Sequence, residues 1–370
     1  TGLHGSSLAL ALRQAAQHAQ APVVVVTRSS HRARALEQDL RLLGEQDLPI
    51  WHFPDRETLP YDPFSAHPDI VSERLAALAA LAKLQQGLLL VSAPTLLERL
   101  PPRSHVLGRT LDLAPGQRLD FDDFREGLLH AGYEAVEQVY QSGQFAVRGS
   151  LLDLYPTGLP HPIRIDLFDD EIESLRTFDP DSQRTTGELG ALQLLPAREY
   201  PADAGDLDQL RRALRLRFDG DMRQVPVYQE LRAGHHPQGL EQYLPLFFEE
   251  TESLFDYLAA PPRVVLQDGV TEAMTAFEAQ TQDRYEQRRH DLERPVLSPE
   301  ELFFPVKTVL EPLAERAVVQ LAGGAEDVRE REHFATDLPP ELPIHERGRT
   351  GSEALLDYVA AWPGRILFAA

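Results

Sequence analysis

The sequence predicts a mixed α/β protein in which a parallel-sheet domain is interrupted by an inserted α+β domain with an antiparallel sheet. Its first hundred or so residues alternate apolar runs, such as 23–26 and 88–91, with stretches of helical spacing. Strands that are apolar throughout and separated by helices are typical of a parallel sheet buried on both faces. From about residue 111, short candidate strands follow one another across Gly, Asp and Pro turns, which indicates an antiparallel meander. The chain has 370 residues, more than one ordinary core accommodates.

The first region predicts helices and strands in alternation. Its second helix carries leucines at helical spacing from Leu36 onward and ends at Gly44. A short helix over 96–100 is predicted with Ser92 or Thr95 as its cap. The other elements predicted here are helices at 6–19 and 70–84 and strands at 22–26, 49–53 and 88–91.

The second region predicts a helix within 120–132 and then the meander. Period-two alternation and short turns define five strands. These predicted strands are Val136–Tyr140, Gln144–Val147, Leu151–Tyr155, Ile163–Phe168 and Ile172–Phe178.

Beyond the meander the parallel-sheet pattern partly returns. A strand is predicted over 263–266 and a long polar helix over 270–292. Residues 323–341 are rich in Gly, Glu, Asp and Pro, which predicts a linker. A helix over 352–361 and a strand over 365–368 would then start a further domain.

The composition excludes several classes of protein. The chain carries 36 Lys and Arg against 58 Asp and Glu, a formal charge of −22. Phosphate binding needs clustered Lys and Arg, so nucleic acid cannot be held mainly through the net field. The absence of Cys excludes disulfides, thiolate zinc sites and Cys nucleophiles, and no apolar run approaches the roughly 18 residues of a membrane span. A start at Thr1 and an end in mid-pattern at Ala370 are expected of a piece of a longer, cytoplasmic protein.

The beginning of the chain resembles a phosphate-binding loop but lacks its chemistry. Such a loop needs a Lys for the β- and γ-phosphates and a Ser or Thr for Mg²⁺, and Leu8 and Ala9 occupy those positions. The strand at 263–266 ends in one carboxylate where two are wanted. We therefore predict a degenerate nucleotide site without ATP hydrolysis, although a helix N-terminus still attracts anions. Its residues are Gly5, Ser6, Ser7, Leu8, Gln267 and Asp268.

The candidate strand 163–168 carries the sharpest surface signal. Its alternation turns three aliphatic side chains toward a core and leaves Arg164, Asp166 and Phe168 on the opposite face. A Phe beside an Arg on a polar face is typical of a protein-binding hot spot. Arg148 lies on a neighbouring strand. The alternative is an ordinary half-buried Phe among solvated charges.

Other clusters of polar residues predict ordinary structure. Asp169, Asp170 and Glu171 are expected to form a turn, because Asp tolerates turn geometry. The adjacent histidines His235 and His236 are expected on the surface. Residues 283–294 are expected to form a solvated helix face. We predict no catalytic residue and no metal site.

Three long blocks, at 53–65, 143–156 and 164–185, carry a family resemblance. The chain resembles the N-terminal UvrB-homology region of the bacterial transcription-repair coupling factors (Mfd), and more distantly the excision-repair protein UvrB. The resemblance implies a UvrB-like multidomain module with a degenerate P-loop, helicase-like first domain. Its implied parts are domain 1a at 1–110, domain 2 at 111–197, domain 1b at 198–322, a linker at 323–340 and the start of a third domain at 341–370.

The resemblance also implies a function. Members of this family recruit UvrA to lesion-stalled RNA polymerase in nucleotide excision repair, and domain 2 binds UvrA. The family's contact positions correspond to Arg148, Arg164 and Phe168. RNA polymerase, DNA, ATP and Mg²⁺ are implied for parts of such proteins outside these residues, and no cofactor is expected here.

Two alternatives remain open at this point. The chain could be an autoinhibitory module that packs on its own C-terminal domains and masks the translocase. It could also be a UvrB-like fragment that retains DNA-stimulated ATPase activity, against which Leu8 and Gln267 argue.

The negative charge of the chain is concentrated in its second region, since residues 110–197 hold six basic and sixteen acidic side chains. Their few cations thus stand out against an acidic surface.

Overall fold

The computed structural model of the chain describes residues 2–44, 48–291, 293–314, 318–321, 334, 336 and 351–362. Its strands are β1 (Pro22–Thr27), β2 (Ile50–Phe53), β3 (Gly87–Ser92), β4 (Leu111–Leu113), β5 (Glu134–Ala135), β6 (Gln144–Arg148), β7 (Leu151–Leu154), β8 (Ile163–Phe168), β9 (Glu171–Phe178), β10 (Thr185–Leu189), β11 (Leu192–Leu194), β12 (Arg263–Leu266) and β13 (Val318–Gln320). Its α-helices are α1 (Ser7–His18), α2 (Ser30–Leu42), α3 (Pro68–Leu81), α4 (Ala93–Leu96), α5 (Arg103–Gly108), α6 (Phe121–His130), α7 (Ala204–Arg217), α8 (Pro226–Arg232), α9 (Val270–Arg288), α10 (Pro299–Leu302), α11 (Val306–Ala314) and α12 (Gly351–Ala361). Short 3₁₀ helices span Met222–Gln224, Leu240–Leu246 and Leu254–Tyr257.

A five-stranded parallel sheet, in the order β13–β12–β1–β3–β2, is the centre of the first region. Every residue of β1 and β3 is buried, which explains their nearly continuous Val and Leu runs. Val24 of β1 pairs with Leu89 on one side and Val264 on the other. The predicted parallel sheet is confirmed, and β13 adds an edge strand that was not predicted.

The helix predicted over 96–100 is wrong in its position. The Ser92 hydroxyl does accept the backbone N–H of Thr95 at 3.4 Å, but the helix that it caps, α4, ends at Leu96. Leu100 instead exchanges backbone hydrogen bonds of 2.8 and 3.0 Å with Glu252. Long-range pairing therefore overrides a weak local helical preference.

The inserted region forms a six-stranded sheet in the order β10–β9–β8–β7–β6–β5, beside a two-stranded pair of β4 and β11. Strands β6 to β10 pair antiparallel in succession, which confirms the meander. Helix α6 is capped by the carboxylate of Asp120 and packs Phe124 and Leu128 into the same core as the sheet. Strands β4, β10 and β11 were not predicted.

The strand predicted over 136–140 is wrong. Only Glu134–Ala135 pair with the sheet there, and they run parallel to β6. Val139 is buried and packs with Ala146 and Phe178, in a cluster separate from the main core of the domain. Apolar side chains in this segment thus cover the sheet instead of extending it.

Residues 200–247 pack around a core of their own, supplied by α7, α8 and the second 3₁₀ helix. The rings of Tyr200 and Phe247 stack in this core with their centroids 5.2 Å apart. The region between the inserted domain and β12 is helical, and the parallel sheet resumes only with β12 and β13. Helix α12 confirms the helix predicted over 352–361. The linker predicted at 323–340 lies outside the described residues apart from two positions, and the strand predicted at 365–368 lies wholly outside them.

A buried charge network joins the parallel-sheet region to the segment that follows the inserted domain. Arg74 of α3 is fully buried and donates to Glu199 Oε1 at 2.6 Å and to Glu98 Oε2 at 2.7 Å. Its Nη1 donates to the carbonyl of Pro54 at 2.7 Å. Arg56 donates to the same two carboxylates. We call these four charged residues the junction network.

The junction network keeps Glu199 ionised. Burial alone raises the pKa of a carboxyl group, but Arg56 and Arg74 outweigh it and lower the pKa of Glu199 from 4.5 to about 2. A carboxyl group with a depressed folded pKa stabilises the fold above its unfolded pKa. That contribution is lost as the pH falls from about 4.5 through about 2.

We expect Glu199→Gln to lower the free energy of unfolding at pH 7 by about 3 kcal/mol, because two buried guanidinium groups lose a counter-charge. Urea unfolding measures this change. Glu57→Gln, which breaks an exposed ion pair with Arg34, is the control and should cost less than about 1 kcal/mol. The gap between wild type and Glu199→Gln should narrow as the pH falls from 4.5 toward 2. A cost equal to that of the control would contradict the stabilising role of the network.

Candidate protein-docking site

Strand β8 exposes the side chains that its alternation predicts. Ile163 and Ile165 are fully buried and Leu167 nearly so, whereas Phe168 is 71% exposed. A rigid strand therefore holds a large aromatic ring in solvent. The prediction of an exposed aromatic at this position is confirmed.

The predicted turn follows directly after Phe168. Asp169 adopts a φ of 53°, in the left-handed region that Asp tolerates, and Asp170 completes the turn. Phe168 then pairs with Glu171 across the hairpin. The turn fixes the end of the strand that presents Phe168.

Arg164 lies on the same face but is less accessible than predicted. Its side chain is 20% exposed, and its Nε and Nη2 donate to the two oxygens of Asp153 at 2.6 and 2.8 Å. Its guanidinium group also lies 4.9 Å from the centre of the Phe178 ring. The ion pair and the ring together restrict the plane of the guanidinium group.

Arg148, the last residue of β6, is exposed and donates to the carbonyl of Glu137 at 3.1 Å. It lies opposite Leu151, which lies opposite Asp166 on the next strand. Arg148, Arg164 and Phe168 therefore share one face of the sheet. From strand spacing, Arg148 lies about 12 Å from each of the other two. We call this face the docking face.

The charges of the docking face are arranged across four strands. Asp153, Arg164, Arg176 and Glu188 lie opposite one another in succession, so two basic residues stand between two acidic ones. The hydrogen bond to Asp153 raises the pKa of Arg164 above its ordinary value. Arg164 is thus permanently charged and held within the sheet.

Sequence reasoning missed Asp153 and Phe178 as the partners of Arg164. Both lie on other strands, and the pairing register that brings them together is not readable from local patterns. One signal was available. Asp153 interrupts a run of leucines in a predicted strand, which marks a polar residue in an apolar environment.

The two halves of the predicted degenerate nucleotide site both lie in the parallel-sheet region. Leu8 packs against the apolar cluster that contains Val265 and is joined by Leu321, whose N–H donates to the carbonyl of Leu266 at 2.8 Å. The side chain at the lysine position is thus packed against the core. On the strand side, Gln267 is buried and Asp268 is exposed.

Polar groups of the loop that includes Gly5 and Ser6 already have partners within the chain. The Ser7 hydroxyl donates to the carbonyl of His4 at 2.6 Å. The Thr336 hydroxyl accepts the N–H of His4 at 3.2 Å and donates to the carbonyl of Gly2. A phosphate group would compete with Thr336 for this part of the loop.

Other polar clusters were predicted as ordinary surface. His235 is exposed, but His236 is half-buried with its ring 6.3 Å from that of Tyr200, and burial lowers the pKa of His236 to about 4. Arg284, in the helix predicted to be solvated, donates to the carbonyl of Pro60 at 2.7 Å. Within the described residues, His, Asp and Glu side chains form no metal-binding group of three or more. No helix in that part of the chain combines the length and hydropathy of a membrane span.

Comparison with known proteins assigns the region that carries the docking face. Residues 111–200 match the family described as the UvrB interaction domain. The inserted domain is therefore similar to a UvrB interaction domain.

The whole chain resembles one kind of repair protein. It is 39% identical over 365 residues to the transcription-repair-coupling factor of Haemophilus influenzae, covering 97% of this chain and 31% of that protein. It is 35% identical over 376 residues to the transcription-repair-coupling factor of Escherichia coli, covering 99% of this chain and 32% of that protein. The resemblance to the coupling-factor family is confirmed, and the chain spans about a third of the length of these relatives.

The two faces of β8 predict opposite mutational effects on stability. Ile165→Ala should lower the free energy of unfolding by about 2–5 kcal/mol, because it opens a cavity in the core. Phe168→Ala should change it by less than about 0.5 kcal/mol, since the ring is mostly in water. Urea unfolding of both variants checks this. A large loss from Phe168→Ala would show that the ring serves packing and not contact with a partner.

Proposed function

We propose that this chain is a docking module that binds UvrA and recruits it to lesion-stalled RNA polymerase in nucleotide excision repair. The observation that carries the proposal is the docking face on a domain that matches the UvrB interaction domain family. Contacts to the polymerase and to DNA belong to other parts of such a protein, in the bacterial cytoplasm. The module supplies the protein surface alone.

The chemistry of the docking face suits recognition of a protein. Phe168 offers apolar area that is already exposed and fixed on a strand, so little conformational entropy is lost on binding. Arg148 and Arg164 offer guanidinium groups, which bind carboxylates with two hydrogen bonds or stack on aromatic rings. Arginine and aromatic residues are the types that most often dominate protein interfaces.

The module does not hydrolyse ATP in this proposal. Leu8 replaces the lysine that would contact the phosphates, and its side chain packs against the core. Gln267 carries no charge for Mg²⁺, and Thr336 already bonds to the loop. The chain would therefore act through UvrA and not through a nucleotide of its own.

Alanine substitution at Arg148, Arg164 or Phe168 should each weaken UvrA binding by about 2 kcal/mol, the usual scale of a hot spot. Calorimetric titration of UvrA into each variant measures the change. Leu216→Ala is a control, because Leu216 is 89% exposed on α7, outside the inserted domain. Unchanged affinity in all three variants would overturn the proposal.

The isolated chain should show no saturable ATP binding, because the loop lacks the lysine and the hydroxyl that a phosphate site needs. Melting temperature measured with and without millimolar ATP and Mg²⁺ tests this. The same titration on a protein with an intact phosphate loop serves as the positive control. A concentration-dependent rise in melting temperature would argue for a working nucleotide site.

A further inference from the structure

The docking face contains one buried acidic residue, Asp153, which does not itself reach a partner. Asp153 of β7 is 2% exposed and lies directly opposite Arg164, to which it commits both carboxylate oxygens. Burying a carboxylate costs desolvation, which a neutral residue at this position would avoid. The two hydrogen bonds from Arg164 offset part of that cost, so the role of Asp153 is tied to Arg164.

We propose that Asp153 is a positioning residue, which holds Arg164 so that its remaining N–H edge meets a carboxylate of the partner. The inference rests on the proposed function, since it specifies the partner chemistry at that same face. Arg164 is the residue that contacts the partner, and Asp153 acts through it.

The hydrogen bonds of Arg164 leave one edge of its guanidinium group available to a partner. The guanidinium group has five N–H bonds, of which Asp153 receives one from Nε and one from Nη2. The two N–H groups of Nη1 and the second N–H of Nη2 donate to no further partner within the described residues. The edge formed by Nη1 and Nη2 matches the two oxygens of a carboxylate.

Two neighbours fix the plane of this guanidinium group. Asp153 holds its inner edge, and the Phe178 ring lies 4.9 Å from the guanidinium carbon. A free arginine would lose rotamer entropy on binding, whereas Arg164 has already lost much of it in folding. Holding Arg164 between Asp153 and Phe178 therefore raises affinity for a partner with a matching geometry.

The neighbouring strand also gives a reason why Arg164 needs to be held in place by Asp153. Arg176 lies directly opposite Arg164 on β9, and like charges in that position repel each other. Asp153 on the other side of Arg164 offsets this repulsion. Without it, the guanidinium group would turn away from Arg176 and lose its orientation.

The geometry defines the surface that fits the docking face. A glutamate or aspartate would meet the free edge of Arg164, and an apolar recess about 13 Å away along the strand would receive Phe168. The exposed Phe168 and the clamped Arg164 thus impose two conditions on one partner surface.

The test uses Asp153→Asn, which keeps the shape of the side chain and removes its charge. Calorimetric titration with UvrA should show affinity about tenfold weaker than wild type. In the background of Arg164→Ala, the same substitution should have no further effect, because both changes remove one interaction. We expect the salt dependence of affinity to become shallower in both Asp153→Asn and Arg164→Ala, because each variant loses the ion pair with the partner carboxylate.

A matched control separates this role from a general loss of an ion pair. Outside the inserted domain, Arg223 makes an ion pair of the same kind with Asp221. Its Nε and Nη2 donate to the two Asp221 oxygens at 2.8 and 3.2 Å. Asp221→Asn should leave UvrA affinity unchanged. Circular dichroism establishes that each variant is folded.

If Asp153→Asn does not fold, Arg164→Lys tests the positioning role instead. This variant keeps the positive charge but removes the two parallel N–H donors of the guanidinium group. We expect the same tenfold loss, and wild-type affinity in this variant would refute the inference. If Phe168→Ala weakens binding while a folded Asp153→Asn binds normally, the positioning role is refuted and the proposed function stands. Additive losses in the double variant refute the positioning role as well. If none of these substitutions weakens binding, the proposed function itself fails.

Discussion

The arrangement of this chain depends on one buried guanidinium group. Arg74 touches the carbonyl of Pro54, the carboxylates of Glu98 and Glu199, and the ring of Phe53 at 4.3 Å. These groups come from the end of one strand, from the segment after a second, and from the chain that leaves the inserted domain. A single side chain thus ties three distant segments, and each partner is needed because an unpaired buried charge is costly. The segment that leaves the inserted domain is held to the parallel-sheet region by this charge network, and Leu195 adds an apolar contact to the same core.

In the proposed function, the inserted domain divides stability and recognition between the two faces of one sheet. Ile163, Ile165 and Leu167 build the core, while the alternate positions of the same strand carry Arg164 and Phe168. Because side chains alternate strictly, a stable core automatically positions the opposite face. Leu8, at the position where a phosphate-binding loop carries its lysine, packs against an apolar cluster and so supports the fold.

Much of this could be predicted from sequence where local periodicity decides the outcome. β8 and β12 were predicted to the residue, because each is bounded by turn residues and carries either an alternating pattern or a continuous apolar run. Residues 96–100 and 136–140 were predicted wrongly, since long-range backbone pairing or packing on a sheet face determines their conformation. The exposure of Phe168 followed from alternation, but the ion pair that restricts Arg164 depends on strand register. Register is a property of the assembled sheet, which no local window contains.

The order of strands in the parallel sheet has a consequence for synthesis on the ribosome. β1 gains β3 as a neighbour within the first hundred residues, but its other neighbour, β12, begins only at Arg263. At translation rates of roughly 5–20 residues per second, one edge of this largely apolar strand stays unpaired for about 10–50 s. The inserted domain, whose sheet uses consecutive strands, can fold within that interval. Val23–Val26 is therefore an aggregation-prone edge of the nascent chain until β12 emerges and pairs with it.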